Sequence, residues 1–222
     1  MNVTVLLNGQ AGGGRAAERW RSLEGCLAAE LGRPATVCDQ SADWVSLVSQ
    51  VARRGPSMIV AAGGDGTVHR VANLLLAEAG KDGATALLGA VGLGSSNDFH
   101  KPLDSRRQVC GMPVRCNWKT PVRQNVLRVE RDDRQGHRLV EYSVTGCSIG
   151  MVALGNELFN RKWGPVRPAR RVGANTGIWC ASLAAIARGR TFAVDLAVDG
   201  RRVYAGDACL VGLYVNLSLI HI

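Results

Sequence analysis

Residues 57–80, SMIVAAGGDGTVHRVANLLLAEAG, constrain the fold more than any other stretch of the chain. An unbroken apolar run at 58–62 gives way to Gly63-Gly64-Asp65-Gly66-Thr67, after which Val68, Val71, Ala72, Leu75 and Ala79 recur at helical spacing. A short apolar run without alternation suits a strand buried on both faces of a parallel sheet, and the later period suits a helix. The five residues therefore sit on a strand-to-helix turn. Glycine admits positive φ and close backbone approach, and the first helical turn presents unpaired N–H groups at the positive end of the helix dipole. Such a turn can cradle phosphate. A bare carboxylate there repels phosphates, so Asp65 has a place only if it orders a metal ion, a water or a cationic group, or sits beside a hydroxyl that will be phosphorylated. The plain alternative is a tight turn capped by Asp or Thr. That accounts for two of the five residues and not for three glycines around one acid.

The first hundred residues alternate strand and helix. Strands are expected at 3–8, 35–39 and 85–91 besides the one above. Helices are expected at 15–31, with Ala16, Trp20, Leu23, Leu27 and Leu31 on one face, and at 43–54, with Trp44, Leu47, Val48 and Val51 inward. This order implies a mainly parallel, doubly wound sheet covered on both faces, with ligands outside the carboxyl ends of its strands. Three glycine-rich turns fall at those ends: Asn8-Gly9-Gln10-Ala11-Gly12-Gly13-Gly14, the Gly63–Thr67 turn, and Gly92-Leu93-Gly94-Ser95-Ser96-Asn97-Asp98-Phe99. One such loop is weak evidence for a ligand; three on one edge are much stronger.

After about residue 120 the pattern becomes β-rich. Strands are expected at 124–131 and 139–148, a hairpin of 192–198 and 202–209 about Asp199-Gly200, a helix at 172–188, and a last strand at 208–216 that stops without a pairing partner. The expected division is an α/β domain over 1–120 and a second, antiparallel β-rich domain over 121–222, incomplete at its end. The last six residues, 217–222, carry no polar terminus and fit poorly with a native end.

Hydrophobic residues make up 46% of the 222, enough for a proper core, and no window approaches the roughly 20 apolar residues of a membrane span. The chain begins directly as a strand, without a leader, so the expected location is the cytoplasm. Seven scattered cysteines without a Cys-x-x-Cys pair argue against a disulfide framework and a structural zinc site, and four dispersed histidines argue against a His-based metal site. The net charge of +9 favours an anionic partner, with arginine clusters at Arg106-Arg107, Arg161-Lys162 with Arg167, Arg170-Arg171, and Arg188 with Arg190. With three Phe and three Tyr and no aromatic-glycine motif, the chain lacks the stacking platform of an RNA-binding sheet, so no specific nucleic acid is expected.

GGDGT before a helix, GLGSSNDF about thirty residues later, and an N-terminal strand ending in NGQAGGG together resemble the diacylglycerol-kinase catalytic-domain family, within it the bacterial lipid kinases. GGDGT alone is shared with sphingosine kinases, NAD kinases and phosphofructokinase relatives; Asn97-Asp98-Phe99 tips the resemblance to the lipid-kinase branch. The later VTGCSIG, the helix around Trp179 and AVDG…GDACLVGLYVN follow in the family's order. The resemblance implies ATP- and Mg2+-dependent phosphoryl transfer to the hydroxyl of a diacylglycerol-like lipid, in a cleft between an α/β nucleotide-binding kinase domain (1–120) and an antiparallel β-sandwich domain (121–222), a reaction governed by positioning and charge neutralisation. It places Asp65 and Asp98 as catalytic, and Asn8, Gly12, Gly63, Gly64, Asp65, Gly66, Thr67, Ser95 and Asn97 on the nucleotide, with no metal ligand assigned. The implied partner is a lipid substrate at an anionic membrane surface, bound peripherally, at about 1 kcal/mol per well-placed cation; a homodimer is a further alternative.

Departures from the family pattern accompany the resemblance. Gly92 stands where proline is usual, Ser95-Ser96 for Thr-Gly, Cys38 for a threonine, Gln124 for an aspartate, and Arg70 for the glutamate three residues after GGDGT. A glutamate there would complete a capping box with Thr67, whereas arginine opposes the helix dipole by a few tenths of a kcal/mol; the two readings of Arg70 are a plain surface substitution and a direct contact with phosphate. The family's later DGE segment, source of its catalytic base, and its acidic magnesium loop would fall after Ile222. The expectation is thus a truncated kinase with poor turnover. The alternatives are a catalytically degenerate nucleotide- or membrane-binding member, and an NAD-kinase-like enzyme.

Overall fold

A computed structural model of the protein describes residues 2–32, 35–79, 86–101, 107–133, 135–160 and 164–215. Arg106, Arg161, Lys162 and the tail at 217–222, all singled out above, lie outside the described residues, as do the expected strand ends at Thr85 and Asn216. By contact density the chain forms two compact units, which divide at Thr145/Gly146; Val215 belongs with the first and Gly146–Tyr214 make up the second.

The first unit is built on a six-stranded sheet of β1 (Asn2–Leu7), β2 (Thr36–Cys38), β3 (Ser57–Gly63), β4 (Ala86–Gly92), β5 (Gln108–Val109) and β6 (Met112–Arg115), in the order β2-β1-β3-β4-β6-β5. The first four pair in parallel, and β6 and β5 close the edge antiparallel. Three helices connect the parallel strands: α1 (Ala16–Leu31), α2 (Trp44–Arg53) and α3 (Asp65–Glu78).

The two-residue period of β1 explains how both faces are covered. Val3, Val5 and Leu7 pack against Trp20, Leu23, Leu27 and Leu31 of α1, while Leu6 packs with Trp44 and Val48 of α2 and Val68 and Val71 of α3. All seven residues of β3 are buried, as the apolar run requires. Each Leu or Val so buried stabilises the unit by about 1.5–3 kcal/mol, and Leu23→Ala, at a fully buried position, would cost about 2–5 kcal/mol. Helix ends are set locally. Asp43 Oδ1 accepts from the amides of Val45 and Ser46 at the start of α2, and Gly32, at φ 65°, ends α1 in the left-handed region.

The hairpin β7 (Leu127–Asp132) and β8 (Arg138–Ser143) also belongs to this unit. Asn73 of α3 ties it down: its Nδ2 donates to the Tyr142 carbonyl and its Oδ1 accepts from the Tyr142 amide, both at 2.8 Å.

In the second unit, β9 (Gly146–Gly150) pairs antiparallel with β12 (Leu210–Tyr214), and β10 (Phe192–Val198) with β11 (Arg201–Ala208). The β10–β11 turn has positive φ at both Asp199 (50°) and Gly200 (75°), the geometry that an Asp-Gly hairpin favours. Helices α4 (Met151–Asn160), α5 (Val166–Val172) and α6 (Ala174–Arg188) pack on one another around Leu158, Val166, Ala181 and Ala185. Outside the six-stranded sheet, the strand pairings among the described residues are thus three two-stranded antiparallel ladders.

Several expectations need correction. The strand expected to end unpaired after residue 208 has a partner: β12 lies along β9 over five residues. The strand expected at 139–148 is two strands, broken at Val144-Thr145 where the chain passes between units. Helices α4 and α5 escaped the sequence reading because Gly155 lies within the first and Pro168 within the second, residues unfavourable in a helix. The cysteines make no framework, yet Cys26 of α1 and Cys110 of the β5–β6 turn are joined by one disulfide. Spacing could not predict it, since 84 residues separate the two.

Candidate active site

The chain leaves β1 toward β2 and returns across β1 to β3, so strand order reverses between β1 and β3. Loops after strands on either side of such a reversal diverge and leave a crevice at the carboxyl edge. Here the loops after β1, β3 and β4 are the three glycine-rich turns, on three adjacent strands.

They touch through backbone that a side chain would push apart. A Cβ on Gly12 would lie 2.5 Å from the Leu93 carbonyl oxygen. A Cβ on Gly94 would overlap the Gly64 Cα, and one on Gly63 would overlap the Thr67 side chain. Gly12, Gly13 and Gly14 all have left-handed φ, 59°, 73° and 89°, so the first loop also needs glycine for its own conformation.

Hydrogen bonds fix the same arrangement. Asn8 donates its amide N–H to the Ala62 carbonyl at 2.9 Å and its Nδ2 to Thr67 Oγ1 at 3.0 Å, linking the first turn to the second. Leu93 donates its amide to the Gly63 carbonyl at 2.8 Å, linking the third to the second. Arg19 of α1 reaches the third turn through Nη1, 3.3 Å from the Leu93 carbonyl. Asp65 Oδ1 accepts from the Phe99 amide at 2.9 Å.

Gly64 is extended (φ −93°, ψ −176°) and α3 begins at Asp65. Thr67 and Val68 both donate to the Gly64 carbonyl, at 2.8 and 3.2 Å. The amides of Asp65 and Gly66 precede the first intrahelical acceptor and face the crevice end of a 14-residue helix. Thr67 is buried, Asp65 half-buried and Gly66 exposed.

The structure brings together Asn8, Gly12, Gly63, Gly64, Asp65, Gly66, Thr67 and Asn97, with different tasks for each. Asn97, expected on the nucleotide, is turned into its own loop. At φ 54° its Oδ1 accepts from the Gly94 amide (2.9 Å) and its Nδ2 donates to the Gly92 carbonyl (3.3 Å). Ser95 is exposed on the third loop. Asp98, on a single 3-10 turn (Asp98–His100), pairs with Lys101 at 3.0 Å, so the two expected catalytic carboxylates do not share a bonded network. Arg70 is not aimed at the cradle: its guanidinium lies 4.8 Å from the centre of the Trp44 ring on α2. Sequence reasoning passed over Arg19, since a cation on an amphipathic helix carries no mark of the loop it will reach.

Phosphate groups fit this crevice, because the absent side chains of Gly12, Gly63, Gly64 and Gly94 are what bring three loops and a helix N-terminus together. Mg2+ fits only as a companion of the nucleotide. Among the described residues no three acidic, histidine or cysteine side chains gather, and Asp65 offers a single carboxylate with one oxygen already engaged.

Fold and crevice together are those of an open α/β protein whose glycine-rich loops meet where the strand order reverses. The Diacylglycerol kinase catalytic domain profile matches residues 2–129, more than half of the chain, and the chain belongs to that family. Three solved structures from Bacillus anthracis str. Sterne share its fold, all named as diacylglycerol kinases, two of them provisionally. They superpose with TM-scores of 0.54, 0.50 and 0.55 at 17%, 18% and 17% identity. Each match covers 95% of this chain and 63–65% of the other, so the chain spans somewhat under two-thirds of their length. No curated protein matches it. No helix among the described residues is long and apolar enough to cross a membrane.

Proposed function

We propose that the protein acts in ATP-dependent phosphorylation of a lipid hydroxyl, with a diacylglycerol-like acceptor. The observation that carries this reading is the convergence of three glycine turns and the α3 N-terminus at the strand-order reversal, in a chain of the diacylglycerol kinase catalytic family. In the reaction the acceptor oxygen bonds to the γ-phosphorus, the bond from that phosphorus to the β–γ bridging oxygen breaks, and the hydroxyl proton leaves to a base. Bound ATP would supply the phosphoryl group and Mg2+ would offset its charge.

This chain's own residues bind and orient. The amides of Asp65 and Gly66 and the α3 dipole would hold phosphate oxygens. Gly12 and Gly94 keep Cβ atoms out of the crevice, and the Asn8–Thr67 bond fixes the first turn against the second. Asp65, oriented by the Phe99 amide, would meet Mg2+ through Oδ2. The net charge of +9 supports peripheral binding to an anionic membrane carrying the acceptor.

A second reading, a nucleotide-binding member without catalysis, is favoured by the pairing of Asp98 with Lys101 rather than with groups around Asp65. Transfer of labelled γ-phosphate from ATP to mixed lipid vesicles, with NAD as a parallel acceptor, separates the readings. Label in lipid that disappears in Asp65→Ala supports the kinase. Label in NAD alone redirects the acceptor, and nucleotide binding without transfer to either leaves the binder.

A further inference from the structure

The antiparallel pairing of β6 with β4 sets Arg115 opposite Ala90, on the sheet face that carries Phe99. Its guanidinium lies 4.5 Å from the centre of the Phe99 ring, and its Nη1 is 3.5 Å from Gln124 Oε1. The remaining edge is different. Nε and Nη2 are both buried and find no acceptor among the described residues, and neither does the buried Nε2 of His100 beside them. Within a guanidinium, Nε–H and Nη2–H point the same way and form the fork that grips two oxygens of a carboxylate or phosphate. Arg115 as a whole is half-buried, but buried N–H groups left without an acceptor are costly, and an anion would complete this fork.

Among the described residues no side chain in the cavity wall supplies one. Arg115 and His100 stand in the wall of a cavity of about 1020 Å³, whose other titratable residues among those described are Arg107, Cys116, Arg123 and Glu78. Glu78, the one acid, is held by Arg53 at 3.3 Å and Ser49 at 3.1 Å. The rest of the wall is largely apolar, with Leu75, Leu87, Leu88 and Val144 among its residues. Burial lowers the Arg115 pKa to about 10, and burial followed by the charge of Arg115 lowers that of His100 to about 4.

We propose that this cavity is a second binding site, apart from the glycine turns, for a single-chain amphiphile with a phosphate or carboxylate head. The head seats on the Nε–Nη2 edge of Arg115 beside His100, and the chain lies along Leu75, Leu87, Leu88 and Val144. The cavity volume is that of an ordinary small-molecule site. Because both guanidinium atoms are sealed as packed, entry requires the 117–126 segment to shift; it has no regular structure, carries Gln124 and leaves Val122 84% exposed. Phe99 connects the two sites, with its ring under Arg115 and its amide on Asp65. The proposal does not rest on the lipid-kinase reading.

The test is calorimetric and thermal-shift titration of the protein with dodecyl phosphate, dodecanoate, dodecanol and inorganic phosphate, each below any micelle concentration. Dodecyl phosphate and dodecanoate should bind at least tenfold more tightly than dodecanol and than inorganic phosphate. Arg115→Met should abolish that preference for an anionic head while leaving ATP affinity and unliganded Tm unchanged or higher. Arg115→Lys, which keeps the charge but not the fork, should lose at least fivefold and serves if the Met variant fails to fold. Equal binding of dodecanol and dodecyl phosphate, or an unaltered preference in a folded variant, overturns the proposal. Inorganic phosphate binding as tightly as dodecyl phosphate overturns the amphiphile and leaves an anion site alone.

Discussion

Asp65 and Phe99, 34 residues apart, are joined by a 2.9 Å hydrogen bond in which the Phe99 amide donates to the Asp65 carboxylate. The acid of the GGDGT turn is therefore a structural tie between two loops as well as a candidate for chemistry. The two roles separate by substitution. Asp65→Asn keeps an acceptor oxygen and should change stability by less than about 0.5 kcal/mol, whereas Asp65→Ala leaves the Phe99 amide unpaired and should cost about 1–3 kcal/mol. If Asp65 acts on the phosphates, both variants lose transfer alike. Denaturant unfolding beside label transfer measures each role.

The close contact of the second and third turns makes Gly94 sensitive to any side chain. Gly94→Ala should destabilise the protein by about 1–3 kcal/mol, because the new Cβ meets the backbone of Gly64 rather than a movable side chain. Gly66 has open space and lies in the first turn of α3. Gly66→Ala should be neutral or stabilise by about 0.4–1 kcal/mol while weakening ATP binding if phosphates approach there. Thermal melts with nucleotide titration check both; unchanged ATP affinity in Gly66→Ala would place the phosphates elsewhere.

Much of this unit is legible in the sequence. The apolar run of β3, the faces of α1 and α2 and the three turns all follow local rules of period and glycine placement, and the structure keeps them within a residue or two. What escaped depends on partners distant in the chain. Asn97 reads as a polar loop residue and is consumed in building its loop. Arg70 reads as a possible phosphate ligand and stacks on Trp44 instead. The Cys26–Cys110 bridge, the pairing of β12 with β9 and the uncompensated Arg115 all require knowing which segments meet.

Asn8 and Thr67 should behave as a coupled pair. Asn8→Ala and Thr67→Val each break the 3.0 Å bond between the first two turns, and a double-mutant cycle should give a coupling of about 0.5–1.5 kcal/mol. Additive effects in equilibrium unfolding would mean that the bond contributes nothing to the joint.

Arg70 should matter for packing and not for nucleotide. Arg70→Ala removes the contact with Trp44 and should cost about 0.5–1 kcal/mol, with ATP affinity unchanged. A fall in ATP affinity of tenfold or more at constant stability would return Arg70 to the phosphate site.

Burial of His100 predicts a pH dependence of stability. Its pKa falls from 6.5 to about 4 on folding, first through burial and then through the charge of Arg115, so the folded state favours the neutral ring. Stability is full above pH 6.5 and declines as pH falls toward 4, by about 2–3 kcal/mol at pH 4.5 from this group alone. His100→Gln should flatten that part of the profile. Parallel slopes for the two proteins between pH 7 and 4.5 would assign the loss to other groups.

The phosphate cradle itself is tested most directly by titrating ATP with Mg2+ into 15N-labelled protein and following assigned amide resonances. Saturable shifts should concentrate at Gly12–Gly14, Gly64–Thr67 and Gly94–Ser96, and the same titration of Gly94→Ala should lose them. Saturable shifts confined to other residues, or none at millimolar nucleotide, would contradict the assignment of the three glycine turns as the nucleotide site.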